Sequence, residues 1–168
     1  MLYEPQEDSL FLASFLGKYK ANVALDMGTG SGILARELKK TCKKVIAADI
    51  DLEAVEQNHD LVVIHTDLFE HIMQKFDLIV FNPPYLPADK DDPVAALDGG
   101  DVGNEIILRF LESAKDFLNP KGKILLLYSS RSGVEEIEQA IAQLYKKTLL
   151  GSQKHFFEEL FVVELKKK

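Results

Sequence analysis

Val23-Ala24-Leu25-Asp26-Met27-Gly28-Thr29-Gly30-Ser31-Gly32 sets the frame for the whole chain. The first five residues, apolar but for one acid, read as a buried strand. Glycines at alternate positions then let the backbone turn sharply and approach a ligand closely. The run Ile33 to Leu38 reads as helix, so the glycines feed a helix N-terminus, which favours anionic groups. Strand, glycine turn and helix make the opening unit of an α/β sheet. The spacing G-x-G-x-G departs from the dinucleotide fingerprint G-x-G-x-x-G and lacks the Gly-Lys-Ser/Thr ending of a phosphate loop. It suits a ligand without phosphate, whose carboxylate uses the helix end.

Outward from this unit, strands and helices alternate. Strands are expected at 23–27, 45–49, 61–65, 76–81 and 123–128, and helices at 31–41, 52–58, 69–74, 104–118 and 132–145. Glu7 to about Gly17 reads as a short amphipathic helix, with Pro5 at its start and Gly17 at its end. Residues 1–18 would cap the pocket of one domain spanning 1–168. The alternation implies right-handed crossovers and a parallel sheet covered on both faces. Ile107, Phe110, Leu111, Ala114, Phe117 and Leu118 form one core stripe; Val134, Ile137, Ile141 and Leu144 form another. Two closing strands, Thr148 to His155 and Glu159 to Lys166, are close enough for a hairpin and hence for antiparallel pairing.

Acids recur where strands end. Asp49 closes the second strand, about 20 residues after the glycine turn, where a carboxylate accepts from a ribose diol. Asp67 closes the third, with the Leu68 backbone beside it, and suits an aromatic amine. Asp26 suits an ammonium group, directly or through water. Singly, each acid has the plain alternative of a helix cap or a solvated loop residue.

The fourth strand, Phe76 to Phe81, runs into Asn82-Pro83-Pro84-Tyr85. A residue before proline is held extended, so Asn82 and Pro83 form a stiff shelf at a strand's carboxyl end. The Asn82 side-chain oxygen and the Pro83 carbonyl can accept the two N–H groups of a planar –NH2, and Tyr85 can stack on it. That aims the nitrogen lone pair at an electrophile by orientation and placed dipoles, without an ionised base. The plain alternative is an Asx-type turn closing a strand.

These motifs together resemble the class I S-adenosylmethionine-dependent methyltransferases. More narrowly, the chain is similar to the HemK-related enzymes, of the compact archaeal and eukaryotic type, that methylate a glutamine amide in class I translation release factors. The resemblance rests on Tyr3-Glu4-Pro5-Gln6-Glu7-Asp8-Ser9, Asp26 to Gly32, Asp49, Thr66-Asp67-Leu68, Asn82 to Tyr85, and the Gly-Gly segment Ala96 to Gly103. It implies a Rossmann-like, seven-stranded, mostly parallel sheet whose last strand inserts antiparallel, with helices on both faces. It also implies S-adenosyl-L-methionine as cofactor. Ser9, Asp26, Gly28 and Gly30 would line its methionine end, Asp49 would take the ribose, Asp67 and Leu68 the adenine, and Asn82 would border both cofactor and substrate. Asn82, Pro83 and Tyr85 would act on the substrate amide. Asp26 stands where some relatives have Glu. The segment Leu86 to Pro93 fits no family pattern and is expected to bear on substrate choice. A small zinc-binding activator subunit is a further implied partner.

Composition narrows the field. The 168 residues suffice for one well-packed core, and 46% apolar with 28% charged content is that of a globular protein. A net charge of −7 lacks the basic footprint of a nucleic-acid enzyme and favours a cationic cofactor and a basic protein partner. With one cysteine, Cys42, no intrachain disulfide forms, and a reducing, cytoplasmic setting is expected. His59, His65, His71 and His155 share no metal-ligand spacing, and no apolar run reaches membrane-spanning length. Two rivals stand beside the glutamine reading. One is methylation of an adenine exocyclic amine in nucleic acid, which needs the base unstacked. The other is a non-catalytic, cofactor-stabilised partner subunit, whose mark would be loss of the shelf or the glycine turn.

Overall fold

The computed structural model describes residues 7–83 and 103–168. Helices are α1 (Glu7–Ala13), α2 (Ile33–Leu38), α3 (Leu52–Gln57), α4 (Glu105–Ala114) and α5 (Val134–Leu144). Strands are β1 (Val23–Met27), β2 (Lys44–Asp49), β3 (Val62–His65), β4 (Phe76–Phe81), β5 (Leu118–Ser129), β6 (Tyr145–Lys154) and β7 (Glu159–Lys167). The strands form one sheet in the order β3-β2-β1-β4-β5-β7-β6. Pairs among β1 to β5 are parallel, while β7 runs antiparallel between β5 and β6. This is the expected sheet, with its antiparallel insertion.

Side-chain alternation splits the core between the two faces. Leu25, Met27, Ile79 and Phe81 pack with α4 and α5 on one face. Ala24, Leu78, Val80 and Leu125 pack with α1 and α2 on the other. Parity therefore assigns Asp26 to the α1/α2 face, and Asn82, one step past Phe81, to the same side. Register brings them close, since Met27 of β1 pairs with Phe81 of β4. The order reverses at β1, which lies between β2 and β4, and the carboxyl ends of strands at such a switch point are where open α/β sheets bind ligands.

Several boundaries differ from the sequence expectation, each for a local reason. The helix expected at 69–74 is a run of turns: the Thr66 hydroxyl accepts from the His71 N–H and donates to the Leu68 carbonyl, offering the backbone an alternative to helix. Helix α2 starts only at Ile33, because Gly32 caps it with φ of 83°. The fifth strand, expected at 123–128, already begins at Leu118, where a helix was expected, and Asn119 to Gly122 form a bulge within it: Leu118 pairs with Phe76 but Lys123 with Leu78. Asp77 braces that bulge, accepting from Asn119 Nδ2 at 2.8 Å and from the Val23 N–H at 3.1 Å. Strand β6 begins at Tyr145, directly after α5.

Candidate functional site

The glycine turn is tied down on every side. Thr29 N–H donates to Ala48 O and Gly32 N–H to Thr29 O. Asn58 donates to the Gly30 carbonyl at 2.9 Å, and Arg36 to the Ser31 carbonyl at 2.7 Å. Gly28, with φ of 67°, lies so close to β4 that a Cβ there would come within 3.3 Å of the Phe81 ring. Only glycine takes this backbone without strain, so the turn is held against the strand that leads to Asn82.

Asp26 lies beneath the turn with no exposed surface. One carboxylate oxygen, Oδ2, accepts from Thr29 Oγ1 at 2.7 Å and from the Ala35 N–H at 3.0 Å. The other, Oδ1, is buried and has no hydrogen-bond partner among the described residues. Burial, opposed by those two hydrogen bonds and aided by the nearby Asp49 charge, pushes the carboxyl up to about 7. A cation placed against Oδ1 would favour the ionised form, the proton going to water.

Asp49 closes β2. Its Oδ2 accepts from the Gly30 N–H and its Oδ1 from the Asp51 N–H, both at 2.8 Å. Each oxygen keeps a second lone pair, so the carboxylate can both brace the turn and accept from a diol. Asp67 accepts from Arg109 Nη2 at 3.0 Å. The next residue, Leu68, is the one non-glycine residue with positive φ, 47°, among those described. Strained backbone of this kind gathers at ligand clamps. Asp67, Leu68 and Arg109 also border an open groove of about 400 Å³ reaching Phe117.

At the end of β4, the Asn82 amide is fixed by helix α1. Its Nδ2 donates to Asp8 Oδ2 at 3.2 Å and to Ser9 Oγ at 3.1 Å. Asp8 is itself held, its Oδ1 accepting from the Ser9 N–H at 2.8 Å. With both amide hydrogens committed, the Asn82 oxygen is left buried and without a partner among the described residues. Two acceptors on one side decide which way the amide turns. Pro83 follows, buried. Tyr85 lies outside the described residues, as do residues 1–6 and the rest of 84–102.

Asp26, Gly28, Gly30, Asp49, Asp67, Leu68, Asn82 and Pro83 thus all lie at the carboxyl ends of β1 to β4, with Ser9 on the helix that meets Asn82. Asp8 was not singled out from the sequence. It stands next to Ser9, but nothing local marks it as a partner for a residue 74 positions away. No group of acids, cysteines and histidines fit to hold a metal is present among the described residues. No described helix is long and apolar enough to cross a membrane.

Residues 5–158 match the family described as the methyltransferase small domain. A Methanocaldococcus jannaschii protein with the provisional name protein N5-glutamine methyltransferase is 35% identical, the match covering 96% of this chain and 90% of that one. The release factor glutamine methyltransferase of Streptococcus pneumoniae is 31% identical over 89% of this chain, which spans 59% of that longer protein. Among solved structures, the E. cuniculi Mtq2–Trm112 complex, responsible for methylating the termination factor eRF1, superposes with a TM-score of 0.83 at 29% identity and 99% coverage of both chains.

Proposed function

This chain belongs to the methyltransferase small-domain family, and we propose that it methylates the side-chain amide nitrogen of a glutamine, in a Gly-Gly-Gln motif of a class I translation release factor. Its methyl donor is S-adenosyl-L-methionine, bound by one domain spanning 1–168. The observation that carries the reading is the buried oxygen of Asn82, without a partner among the described residues, on an amide fixed by Asp8 and Ser9. A neutral acceptor so placed suits a neutral N–H donor such as a carboxamide. The named activities of the similar enzymes support the same choice.

The residues present fit the cofactor. Asp26 Oδ1 is buried and lacks a partner among the described residues, and an amino-acid ammonium would satisfy it. Asp49 retains lone pairs for a ribose diol, and the strained Leu68 beside Asp67 presents backbone to a base. When bound, S-adenosylmethionine supplies an electrophilic methyl on a sulfonium. Asn82 Oδ1 accepts one hydrogen of the substrate amide, and the Pro83 carbonyl is assigned the other. These two acceptors hold the amide plane so that its nitrogen lone pair faces the methyl carbon. Transfer would form the N–C bond as the C–S bond breaks and the neutral thioether leaves; both placed dipoles would stabilise the positive charge on the nitrogen, which would then lose one proton to water. Tyr85 is assigned the stacking role on the amide plane.

A small partner subunit belongs to this reading, as in the Mtq2–Trm112 complex. The described sheet ends on β3, a four-residue strand with Val62 63% exposed, and Ile50 and Leu52 are exposed nearby. An apolar, unpaired edge is what a second chain can cover.

The test is transfer of labelled methyl from S-adenosylmethionine to recombinant release factor. Label is expected on the native factor and absent once the motif glutamine is changed. Label retained after that change overturns the assignment.

A further inference from the structure

The β6–β7 hairpin ends in an aromatic pair that the site described above does not use. Phe156 is 91% and Phe157 80% exposed, with ring centroids 4.5 Å apart and planes at 86°. Two large apolar rings side by side in water are costly unless something covers them. Their position is informative. Ser129, the last residue of β5, pairs with Leu160 of β7, so the tip rises on the sheet's carboxyl rim. The adjacent His155 approaches Glu7 at 3.3 Å. Glu7 opens α1, whose next two residues hold Asn82. The residue next to the aromatic pair thus touches the helix whose following two residues hold Asn82.

The tip is also braced. His155 N–H donates to Glu158 O at 2.8 Å. Ser129 Oγ donates to Glu158 Oε2 at 2.6 Å, and Glu159 N–H donates to Ser130 Oγ at 2.9 Å. Lower down, Gly151 lets the Phe15 ring of the segment after α1 sit against β6, where a Cβ would come within 2.7 Å of it. A held aromatic pair loses little entropy on binding, as a docking anchor requires.

Charge selects the occupant. Around the tip and the starts of α4 and α5, the described rim exposes Glu7, Glu105, Glu135 and Glu136, with Glu158 and Glu159 half-buried. Arg131 and Lys154 are the exposed cations there. An apolar anchor in an acidic surround complements an apolar side chain flanked by lysine or arginine.

We infer that Phe156 and Phe157 dock the protein substrate, gripping an apolar side chain of a basic surface next to the target glutamine. The inference rests on the proposed methyl transfer to a protein glutamine. It makes the hairpin a determinant of substrate affinity distinct from the chemistry at Asn82.

The experiment compares the wild type with the double variant Phe156→Ser/Phe157→Ser on two substrates, intact release factor and a short peptide carrying Gly-Gly-Gln. On the intact factor, KM is expected to rise about ten- to a hundredfold with kcat unchanged, the loss of a paired aromatic anchor. Cofactor affinity and turnover of the peptide at saturation should stay as in the wild type. A second variant, Phe156→Tyr/Phe157→Tyr, keeps the rings and should keep the KM. Wild-type KM for the factor should also climb with added KCl. An unchanged KM in the serine variant overturns the docking role. So does a wild-type dimer in sedimentation that the serine variant turns into monomer, which would give the surface to a second copy of this chain. If the wild type itself leaves the glutamine unlabelled, the transfer reading fails instead, and the two failures are told apart.

Discussion

The ends of β1 and β4 each carry a polar side chain with one end tied by protein and one buried oxygen without a partner among the described residues. At β1 the group is a carboxylate, Asp26, bound through Oδ2 by Thr29 and Ala35. At β4 it is a carboxamide, Asn82, bound through Nδ2 by Asp8 and Ser9. The free oxygens look alike, yet they are not interchangeable. An acid in that setting changes charge state near neutrality; an amide does not. In the proposed reading the β1 end therefore meets a cation, and the β4 end a neutral N–H. Exchanging these roles would set a full negative charge beside the substrate amide and leave the cofactor's ammonium with a weaker acceptor.

The largest effect should come from breaking the β4 end. Asn82→Ala removes the dipole aligned with charge that develops on the substrate nitrogen, and kcat is expected to fall roughly a hundredfold or more. Cofactor affinity by calorimetry should be nearly unchanged, because Asp26 and Asp49 remain. Comparable turnover in the variant would refute the comparison at its centre.

Breaking the β1 end should show the opposite pattern. Asp26→Asn replaces a charge-assisted hydrogen bond by a neutral one, and cofactor Kd is expected to rise roughly ten- to a hundredfold. The pH dependence sharpens this. The carboxyl of the unbound protein titrates at about 7, raised chiefly by burial. An ammonium partner selects the ionised form, so below that pH binding must first release a proton. Affinity should climb from pH 6 to 8 and then level, and Asp26→Asn should flatten the climb. A wild-type affinity independent of pH over that range would contradict it.

The two ends also differ in how far the sequence reveals them. Asp49 and Asn82 each close an apolar run and Asp26 comes one residue before the end of its own, and local periodicity suffices to place a polar group near a strand's end. The glycine turn is similarly legible, because its backbone demands are met by residue type alone. Long-range partners are not. Asp8 meets Asn82 across 74 positions and Arg109 meets Asp67 across 42, and no local pattern encodes such pairings. The turns at 66–72 were missed for a related reason. Phe69 and Ile72 are spaced as on a helix, and the competing bonds come from one hydroxyl, Thr66. The antiparallel finish was legible because two strand-like runs lay within hairpin reach. The bulge at 119–122 was not, since Pro120 and Gly122 read as a break rather than as an excursion that Asp77 braces.

That hidden contact allows a finer test of the β4 end. Asp8 presents only acceptors to the Asn82 amide, which fixes the way Oδ1 faces. Asp8→Ala should lower kcat about tenfold through lost orientation, the scale of one hydrogen bond. Asp8→Asn keeps the shape but adds a donor, which lets the Asn82 amide turn over and present its NH2 to the substrate. Its kcat should fall at least as far, with cofactor affinity preserved. A merely structural Asp8 would predict the reverse order, with the isosteric variant nearly normal.

A further expected effect concerns stability without cofactor, and its sign separates the two ends. In the unfolded chain Asp26 titrates near its ordinary value of 3.8, but in the fold it titrates at about 7. Between those values the unfolded state gives up its proton while the folded state keeps it. Folding stability therefore drains away as pH rises from about 4 to 7, and is constant beyond. Asp26→Asn removes that titration, so the variant should gain on the wild type across this window and hold its advantage at pH 8. Urea unfolding of both proteins at pH 5, 6, 7 and 8 measures the gap directly. No such window exists for Asn82→Ala, whose offset from the wild type should be the same at every pH. A gap for Asp26→Asn that shrinks toward pH 8 would mean that Oδ1 is satisfied in the unbound protein, and the contrast between a charged and a neutral strand end would lose its physical basis.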